Sequence, residues 1–130
     1  MSVPDLRVGL LGYGLAGSTF HAPLIATTPG LRLAAVVTSQ EQRAAEARRD
    51  HPGVEVLATA DLLWRRADSL DLVVVATPNR THVPLARAAL EAGLPVVVDK
   101  PLAATAAEAR ATIADAARRG LMLTVFQNRR

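Results

Sequence analysis

The sequence predicts an α/β fold, with an open, doubly wound parallel sheet covered by helices on both faces. Short apolar segments rich in β-branched residues alternate along the chain with alanine-rich segments of helical periodicity. Several of the apolar segments lack the polar alternation of half-exposed strands, as expected where both faces of a sheet are covered. This alternation is typical of βαβ units with right-handed crossovers. A glycine-rich turn after the first apolar segment further predicts the strand order 3-2-1-4-5-6.

The elements can be assigned in chain order. The predicted strands are Leu6–Leu11, Leu33–Thr38, Val54–Leu57, Leu72–Ala76, Val96–Val98 and Met122–Val125. Helices are predicted over residues 15–27, 40–50, 60–66, 83–92 and 106–119. Pro23 lies inside the first helix and should kink or split it, because proline lacks an N–H and clashes with the preceding turn. Thr105 and Glu108 have the spacing of a capping box for the fifth helix, while Gly93 and Gly120 are expected to end the fourth and fifth.

Composition and charge exclude several classes of protein. The chain has 130 residues, of which 50% are hydrophobic and 3% aromatic, so we expect one domain with an aliphatic core. Because it has no cysteine, disulfides and thiolate metal sites are excluded, and its histidines and acids do not approach metal-ligand spacing. The net charge of +3 comes from scattered arginines without interleaved aromatic residues, which argues against a nucleic-acid partner. No apolar run reaches the length of a membrane span and no signal peptide is evident, so we expect a cytoplasmic protein with no membrane partner.

The glycine-rich turn directly follows the first strand and precedes a helix, which is the arrangement of a dinucleotide-binding, Rossmann-type βαβ unit. Gly12 allows the tight turn, Gly14 lets the backbone approach a pyrophosphate, and Gly17 lets the helix pack closely on the strand. Free N–H groups at the start of the helix favour phosphate binding. We therefore assign the whole turn to a candidate cofactor site: Gly12, Tyr13, Gly14, Leu15, Ala16 and Gly17.

The residues after the second strand predict which nicotinamide cofactor binds. NAD sites usually place an acid there for the ribose hydroxyls, whereas this chain has Thr38, Ser39 and Gln40. Ser39 and Arg43 could hold the 2′-phosphate of NADP, so the sequence favours NADP over NAD. Ser39 and Gln42 also have the spacing of a capping box, and the two roles of Ser39 are compatible.

Two further strand ends carry candidate cofactor contacts, because ligands of such sheets collect at the carboxyl ends of the strands. Thr77, Pro78 and Asn79 follow the fourth strand, where they are either cofactor contacts or a plain turn. His82 lies near the start of the next helix, and it either reaches the nicotinamide side of the site or is structural. Asn128 follows the sixth strand and is also assigned to the cofactor site.

Lys100 is the only lysine in the chain, follows the fifth strand and is the candidate catalytic residue. Its ammonium group can hydrogen-bond a substrate oxygen and, when partly desolvated, exchange a proton with that oxygen during hydride transfer. An arginine could not release that proton near neutral pH. The alternatives are an exposed lysine without function and an ion pair with Asp99. Asp99 itself could orient Lys100, contact the cofactor or cap a turn.

Together these motifs resemble the Gfo/Idh/MocA family of oxidoreductases over essentially the whole chain. The resemblance implies an NAD(P)-dependent dehydrogenase acting on sugars, inositols or related polyols. The family's Glu-Lys-Pro signature is Asp99-Lys100-Pro101 here, which implies a catalytic role for Lys100 and a cis peptide bond before Pro101. The segments that carry the resemblance are residues 12–17, 76–82 and 98–101, with residues 20–24 and 126–130 similar to a bacterial branch.

Members of this family carry a second, C-terminal domain that binds the substrate. The resemblance therefore implies that residues 1–130 are the NAD(P)-binding domain without that substrate domain, and a poor catalyst by themselves. The alternative function is a non-catalytic NAD(P)-binding sensor or regulatory module, which would not need Lys100. The sequence leaves open whether the chain forms a homo-oligomer through the face that a substrate domain would cover.

Overall fold

Six parallel strands form one sheet in the order β3-β2-β1-β4-β5-β6, which confirms the predicted fold class and strand order. The structure, a computed structural model, describes residues 3–127. The strands are β1 Leu6–Leu11, β2 Leu31–Val37, β3 Glu55–Leu57, β4 Leu72–Val75, β5 Val96–Asp99 and β6 Leu123–Phe126. The α-helices are α1 Ala22–Thr27, α2 Glu41–Asp50, α3 Ala60–Trp64, α4 His82–Glu91 and α5 Ala106–Arg119. A π-helical turn covers Ala16–His21, and 3₁₀ turns cover Ala67–Ser69 and Asn79–Thr81.

The sheet buries both of its faces in aliphatic cores. Successive residues of a strand point to opposite faces, so Leu10 packs in one core with α1 and α2, while Leu11 packs in the other with α3, α4 and α5. β4 divides in the same way, with Val74 in the first core and Val73 and Val75 in the second. Covered faces on both sides explain why these strands are continuous apolar runs.

The order of the strands reverses beside β1, and this places a crevice at the carboxyl ends of the central strands. β1 pairs with β2 on one side, where Leu11 is opposite Val37, and with β4 on the other, where Leu11 is opposite Val75. The Gly12 N–H donates to the Val37 carbonyl at 2.9 Å, which holds the start of the glycine turn against the end of β2. Ligands of doubly wound sheets bind at such a reversal point.

The predicted break near Pro23 is confirmed, and the predicted capping box at Thr105 is confirmed in part. The first predicted helix is split near Pro23, with the π-helical turn before Ala22 and α1 after it, and the Ala22 N–H donates to the Gly17 carbonyl. The Thr105 hydroxyl caps α5 by accepting from the Glu108 N–H at 3.1 Å. The Glu108 carboxylate returns to the Thr105 hydroxyl rather than to its N–H, so the capping box is incomplete.

The predicted capping box between Ser39 and Gln42 is wrong. The backbone stays extended through Gln40, which has φ −94° and ψ 121°, so Gln40 and not Ser39 is the residue that caps α2. The hydroxyl that bonds locally belongs to Thr38 and accepts from the Gln40 N–H at 3.3 Å. The Ser39 side chain is exposed and takes no part in capping.

None of the helices within residues 3–127 is long and apolar enough to cross a membrane.

Candidate functional site

A cavity of about 590 Å³ opens at the carboxyl ends of β1, β2 and β4, where the sheet reverses. Its volume is within the usual range for sites that bind small molecules and cofactors. Sequence reasoning predicted seven of the residues that line it: Gly12, Tyr13, Gly14, Ser39, Arg43, Thr77 and Pro78. These seven residues come from three segments of the chain, and residues 58–60, which sequence reasoning missed, add a fourth segment after β3.

The three glycines of the turn have different structural roles. Gly12 has φ +100°, and a Cβ on it would lie 2.6 Å from the Ala76 carbonyl oxygen. A Cβ on Gly17 would lie 2.1 Å from the Gly12 carbonyl oxygen, so this glycine allows the π-helical turn to pack against the end of β1. A Cβ on Gly14 would meet nothing closer than the Arg43 guanidinium at 3.5 Å. The fold thus requires Gly12 and Gly17, whereas Gly14 leaves its main chain open to a ligand in the cavity.

Of the other turn residues assigned to the cofactor site, only Tyr13 lines the cavity. The Tyr13 side chain is 2% exposed and donates its hydroxyl to Asp50 Oδ2 at 2.8 Å. Burial, and then this bond to Asp50, raise the pKa of the Tyr13 phenol above its ordinary value. Leu15 is 76% exposed, and neither Leu15, Ala16 nor buried Gly17 lines the cavity. Tyr13 anchors the turn to the end of α2.

Cationic and hydroxyl side chains line the outer part of the cavity. Exposed Ser39 and the guanidinium of Arg43 lie on the α2 side, and exposed Arg80 lies on the β4 side. Within residues 3–127, Arg43 makes no ion pair with a carboxylate. Sequence reasoning missed Arg80, although its position beside Asn79 at the end of a strand was a signal that could have identified it. These cationic and hydroxyl groups can bind the phosphates of a dinucleotide, whereas acidic side chains would repel them.

His82 is behind the cavity rather than in it. Its side chain is among the most buried in the protein, and its two ring nitrogens lie 2.7 Å from the Pro101 carbonyl oxygen and 2.8 Å from the Thr77 carbonyl oxygen. No ring nitrogen remains for a cofactor, so the direct contact expected from the sequence is replaced by contacts with two loops. Asn79 is exposed in a 3₁₀ turn and does not line the cavity.

The segment after β5 lies two strands from β1, outside the cavity. Lys100 is exposed, and the peptide bond between Lys100 and Pro101 is cis, as the resemblance implied. Asp99 forms no ion pair with Lys100 and faces His21, whose Nε2 lies 3.5 Å from Asp99 Oδ1. That nitrogen is buried and has no hydrogen-bond partner at closer range. Phe126 packs edge-on against the His21 ring, with centroids 4.7 Å apart.

The predicted contact of Asn128 lies outside the described residues. Over residues 3–127, no group of three or more histidine, aspartate or glutamate side chains is placed to hold a metal ion.

Known proteins resemble this chain in both sequence and structure. The profile of the Gfo/Idh/MocA family, described as an oxidoreductase family with an NAD-binding Rossmann fold, matches residues 6–127. The chain is 50% identical to the uncharacterized oxidoreductase YdgJ of Escherichia coli over 126 residues, which cover 97% of the chain. It is 37% identical to the scyllo-inositol 2-dehydrogenase (NADP(+)) IolW of Bacillus subtilis, over 98% of the chain. The match covers 35% of the length of each relative.

A solved structure has the same fold with ligands present. The crystal structure of scyllo-inositol dehydrogenase from Lactobacillus casei, with NAD(H) and scyllo-inositol bound, superimposes with a TM-score of 0.84. The two sequences are 27% identical, and the match covers 93% of this chain and 36% of that one. With the glycine turn, the reversed strand order and the matched profile, the chain belongs to the Gfo/Idh/MocA oxidoreductase family and carries its NAD-binding Rossmann fold.

Proposed function

We propose that this chain is the cofactor-binding part of a dehydrogenase that transfers a hydride between a nicotinamide dinucleotide and a sugar, inositol or related polyol, with NADP as the preferred cofactor. The observation that carries the proposal is the open main chain at Gly14, which faces the cavity beside Arg43. A pyrophosphate needs such a close approach, and the guanidinium supplies a charged donor next to it.

The preference for NADP rests on the charge of the cavity. Its described lining includes Arg43 and Arg80 but no aspartate or glutamate. An aspartate or glutamate after β2 would repel the 2′-phosphate of NADP and would bind the ribose hydroxyls of NAD instead. Ser39, which is free of any capping role, can donate its hydroxyl to the same phosphate. The name of the Bacillus subtilis relative refers to NADP(+), in agreement with this preference.

Lys100 is the proposed catalytic residue. The nicotinamide, when bound, supplies the carbon that accepts or donates the hydride. As the substrate carbon loses a hydride its hydroxyl must lose a proton, and the Lys100 amine would accept that proton; its ammonium would return it in the reverse direction. Lys100 is exposed in this chain, so its desolvation depends on a substrate domain closing over β5. We propose that the part of the relatives outside the matched third supplies that domain.

The experiment measures binding of NADPH and NADH by the chain, using calorimetry and coenzyme fluorescence. We expect binding of both, with tighter binding of NADPH. Gly14→Val should abolish binding while the circular dichroism spectrum is retained, because the side chain occupies space that the fold leaves open. Lys100→Met is the matched control and should bind with near-unchanged affinity.

Turnover separates the enzyme from a binding-only module. With this domain joined to a substrate domain, Lys100→Met should lose activity and keep cofactor binding. Equal activity without Lys100 would contradict the catalytic assignment, and no turnover by either form would favour a sensor or regulatory module. Folded chain that binds neither coenzyme at concentrations far above those of the cell would overturn the proposal.

A further inference from the structure

On the side of the sheet that α1 and α2 cover, the helical layer ends beyond β4 and leaves β5 and β6 open. Successive strand residues point to opposite faces, so Val98 lies in the core with α4 and α5, while Val97 and Asp99 point to the other side. In β6, Thr124 and Phe126 are opposite Val97 and Asp99 in the sheet register. Thr124 is exposed and the other three are half-buried, whereas Val98 is fully buried. These four residues form what we call the open sheet face.

Two exposed apolar side chains border the open sheet face. Phe20 is 42% exposed and Leu24 is 52% exposed. They are four residues apart, and Leu24 is three residues beyond His21, so the three side chains lie at neighbouring positions on one flank of the helical segment. The His21 ring packs edge-on against Phe126, which places this flank beside the open sheet face.

An uncovered apolar face of this kind marks a contact surface. All-parallel sheets occur almost only where both faces are covered, and contiguous exposed apolar surface on a soluble domain is typical of an interaction site. The helices that connect β4 to β5 and β5 to β6 are α4 and α5, and both lie on the opposite side. The connections within residues 3–127 therefore leave this face to be covered by other polypeptide.

Charge and chain length distinguish the two sources of such polypeptide. In a twofold dimer the same surface meets itself, so the Asp99 carboxylates of two copies would approach each other and repel. The matched region is 35% of the length of YdgJ, so most of that relative lies outside it. A longer parent polypeptide therefore has ample chain to cover the face without this repulsion.

We propose that the open sheet face, with Phe20 and Leu24 beside it, docks the part of the parent dehydrogenase that lies outside the matched third. The inference rests on the proposed function in one respect, that this chain is part of a longer enzyme. The docked surface is apolar and carries a hydrogen-bond donor for Asp99, whose side chain is 22% exposed and faces His21 at 3.5 Å. Covering that carboxylate without a donor would be costly. Docking here also covers the strand end that leads to Lys100, which would supply the desolvation that its proposed role needs.

Cysteine labelling measures whether the face is covered, because the chain has no cysteine of its own. Thr124→Cys places a thiol on the open sheet face, and Ile113→Cys, at a 53% exposed position of α5, is the matched control. Each variant is labelled with a maleimide as the chain alone and as a fusion to the part of YdgJ outside the match, and mass spectrometry identifies the labelled peptide. The thiol at position 124 should react at least about tenfold more slowly in the fusion, because a docked segment must open before the reagent enters. The thiol at position 113 should react equally fast in both proteins.

Two results of the labelling would overturn the proposal. Equal rates at position 124 in the chain and the fusion would show that the face stays open. A rate that falls as the concentration of the chain alone rises would show that a second copy covers the face instead. If circular dichroism shows that the fusion is unfolded, intact YdgJ with a cysteine at the position aligned with Thr124 replaces it in the same comparison.

Leu24→Asp tests the apolar flank. Because Leu24 is exposed, the melting temperature of the chain alone should change by no more than about 2 °C. In the fusion, the new carboxylate would be buried against an apolar surface, so the thiol at position 124 should regain most of the fast rate of the chain alone. Ile113→Asp is the matched control and should leave labelling slow. Slow labelling in the Leu24→Asp fusion would contradict the proposal. Neither measurement uses a coenzyme, so failure to bind NADPH would count against the proposed function alone.

Discussion

Replacing Gly17 by alanine tests whether the glycine turn is held by close packing of main chain on main chain. The added Cβ would lie 2.1 Å from the Gly12 carbonyl oxygen and 2.9 Å from its carbonyl carbon. Neither atom can rotate away, and Gly12 is itself held in place, because its N–H donates to the Val37 carbonyl oxygen at 2.9 Å. The π-helical turn must therefore move by about 1 Å to restore van der Waals distance.

The size of the effect follows from the cost of overpacking. Inserting a methyl group into a packed site typically costs about 1–3 kcal/mol, and a contact with rigid backbone falls at the upper end, near 3 kcal/mol. A domain of this size has a total stability of about 5–15 kcal/mol. Each kcal/mol shifts the melting temperature by roughly 4 °C in a domain of this length. We therefore expect Gly17→Ala to melt about 10 °C below the wild type.

Thermal and urea unfolding followed by circular dichroism measure this change. The matched control is Gly14→Ala, the same substitution three residues earlier, where the added Cβ makes an ordinary 3.5 Å contact with the flexible end of Arg43. Its stability should change by no more than about 0.5 kcal/mol. Equal stability of Gly17→Ala and the wild type, or equal loss in both variants, would refute this explanation of the turn.

Two further predictions concern cofactor choice and acid stability. Ser39→Asp should lower NADPH affinity relative to NADH affinity by at least about tenfold, because it places a carboxylate where the 2′-phosphate would lie. Competitive titration measures the ratio of the two affinities. An unchanged ratio would show that Ser39 does not contact the 2′-phosphate. The Asp115 carboxylate accepts hydrogen bonds from Arg119 at 2.9 Å and from Arg118 at 2.6 Å. These contacts lower the pKa of Asp115, and the hydrogen bond from Arg119 has the largest effect. A lowered pKa in the folded state stabilises the protein above the ordinary aspartate value of about 4, and that contribution is lost as the pH falls through the folded value. Asp115→Asn should thus be less stable than the wild type near neutral pH, and its free energy of unfolding should fall less on acidification. Urea unfolding near neutral pH and at acidic pH measures this difference. The control Asp5→Asn removes an exposed carboxylate and should resemble the wild type at both pH values.

Local patterns were sufficient to predict the fold. The strands are continuous apolar runs because helices cover both faces of the sheet, and that condition is visible in single segments such as Leu72–Val75. The turn from Gly12 to Gly17 was also predictable, because Gly12 has a positive φ of +100° and Gly17 is required by a contact with Gly12 inside the turn. The end of the first helical segment near Pro23 follows from the chemistry of one residue.

Features that depend on distant partners were not predictable in the same way. His82 had two candidate roles in the sequence, and the structural one applies, but its partner Pro101, 19 residues away in sequence, was not predictable. Asp99 had three candidate roles in the sequence, and none of them was the contact with His21. That contact forms only because β5 and the π-helical turn lie next to each other in the fold. Ser39 has the residue spacing of a cap, yet one more extended residue moved the cap to Gln40. For His82 and Asp99 the deciding partner comes from an element that local sequence does not specify, whereas for Ser39 the deciding feature is the local backbone conformation.

The hydrogen bond between the Tyr13 hydroxyl and Asp50 connects the glycine turn to the end of α2. Asp50 is the last residue of that helix, and Arg43 lies in its first turn, so the helix cannot tilt without moving the glycine turn that lines the cavity. A binding site that is already ordered before its ligand binds loses little conformational entropy on binding. We therefore expect that substitutions of side chains such as Ser39 can change which nicotinamide coenzyme is preferred while the glycine turn keeps its conformation.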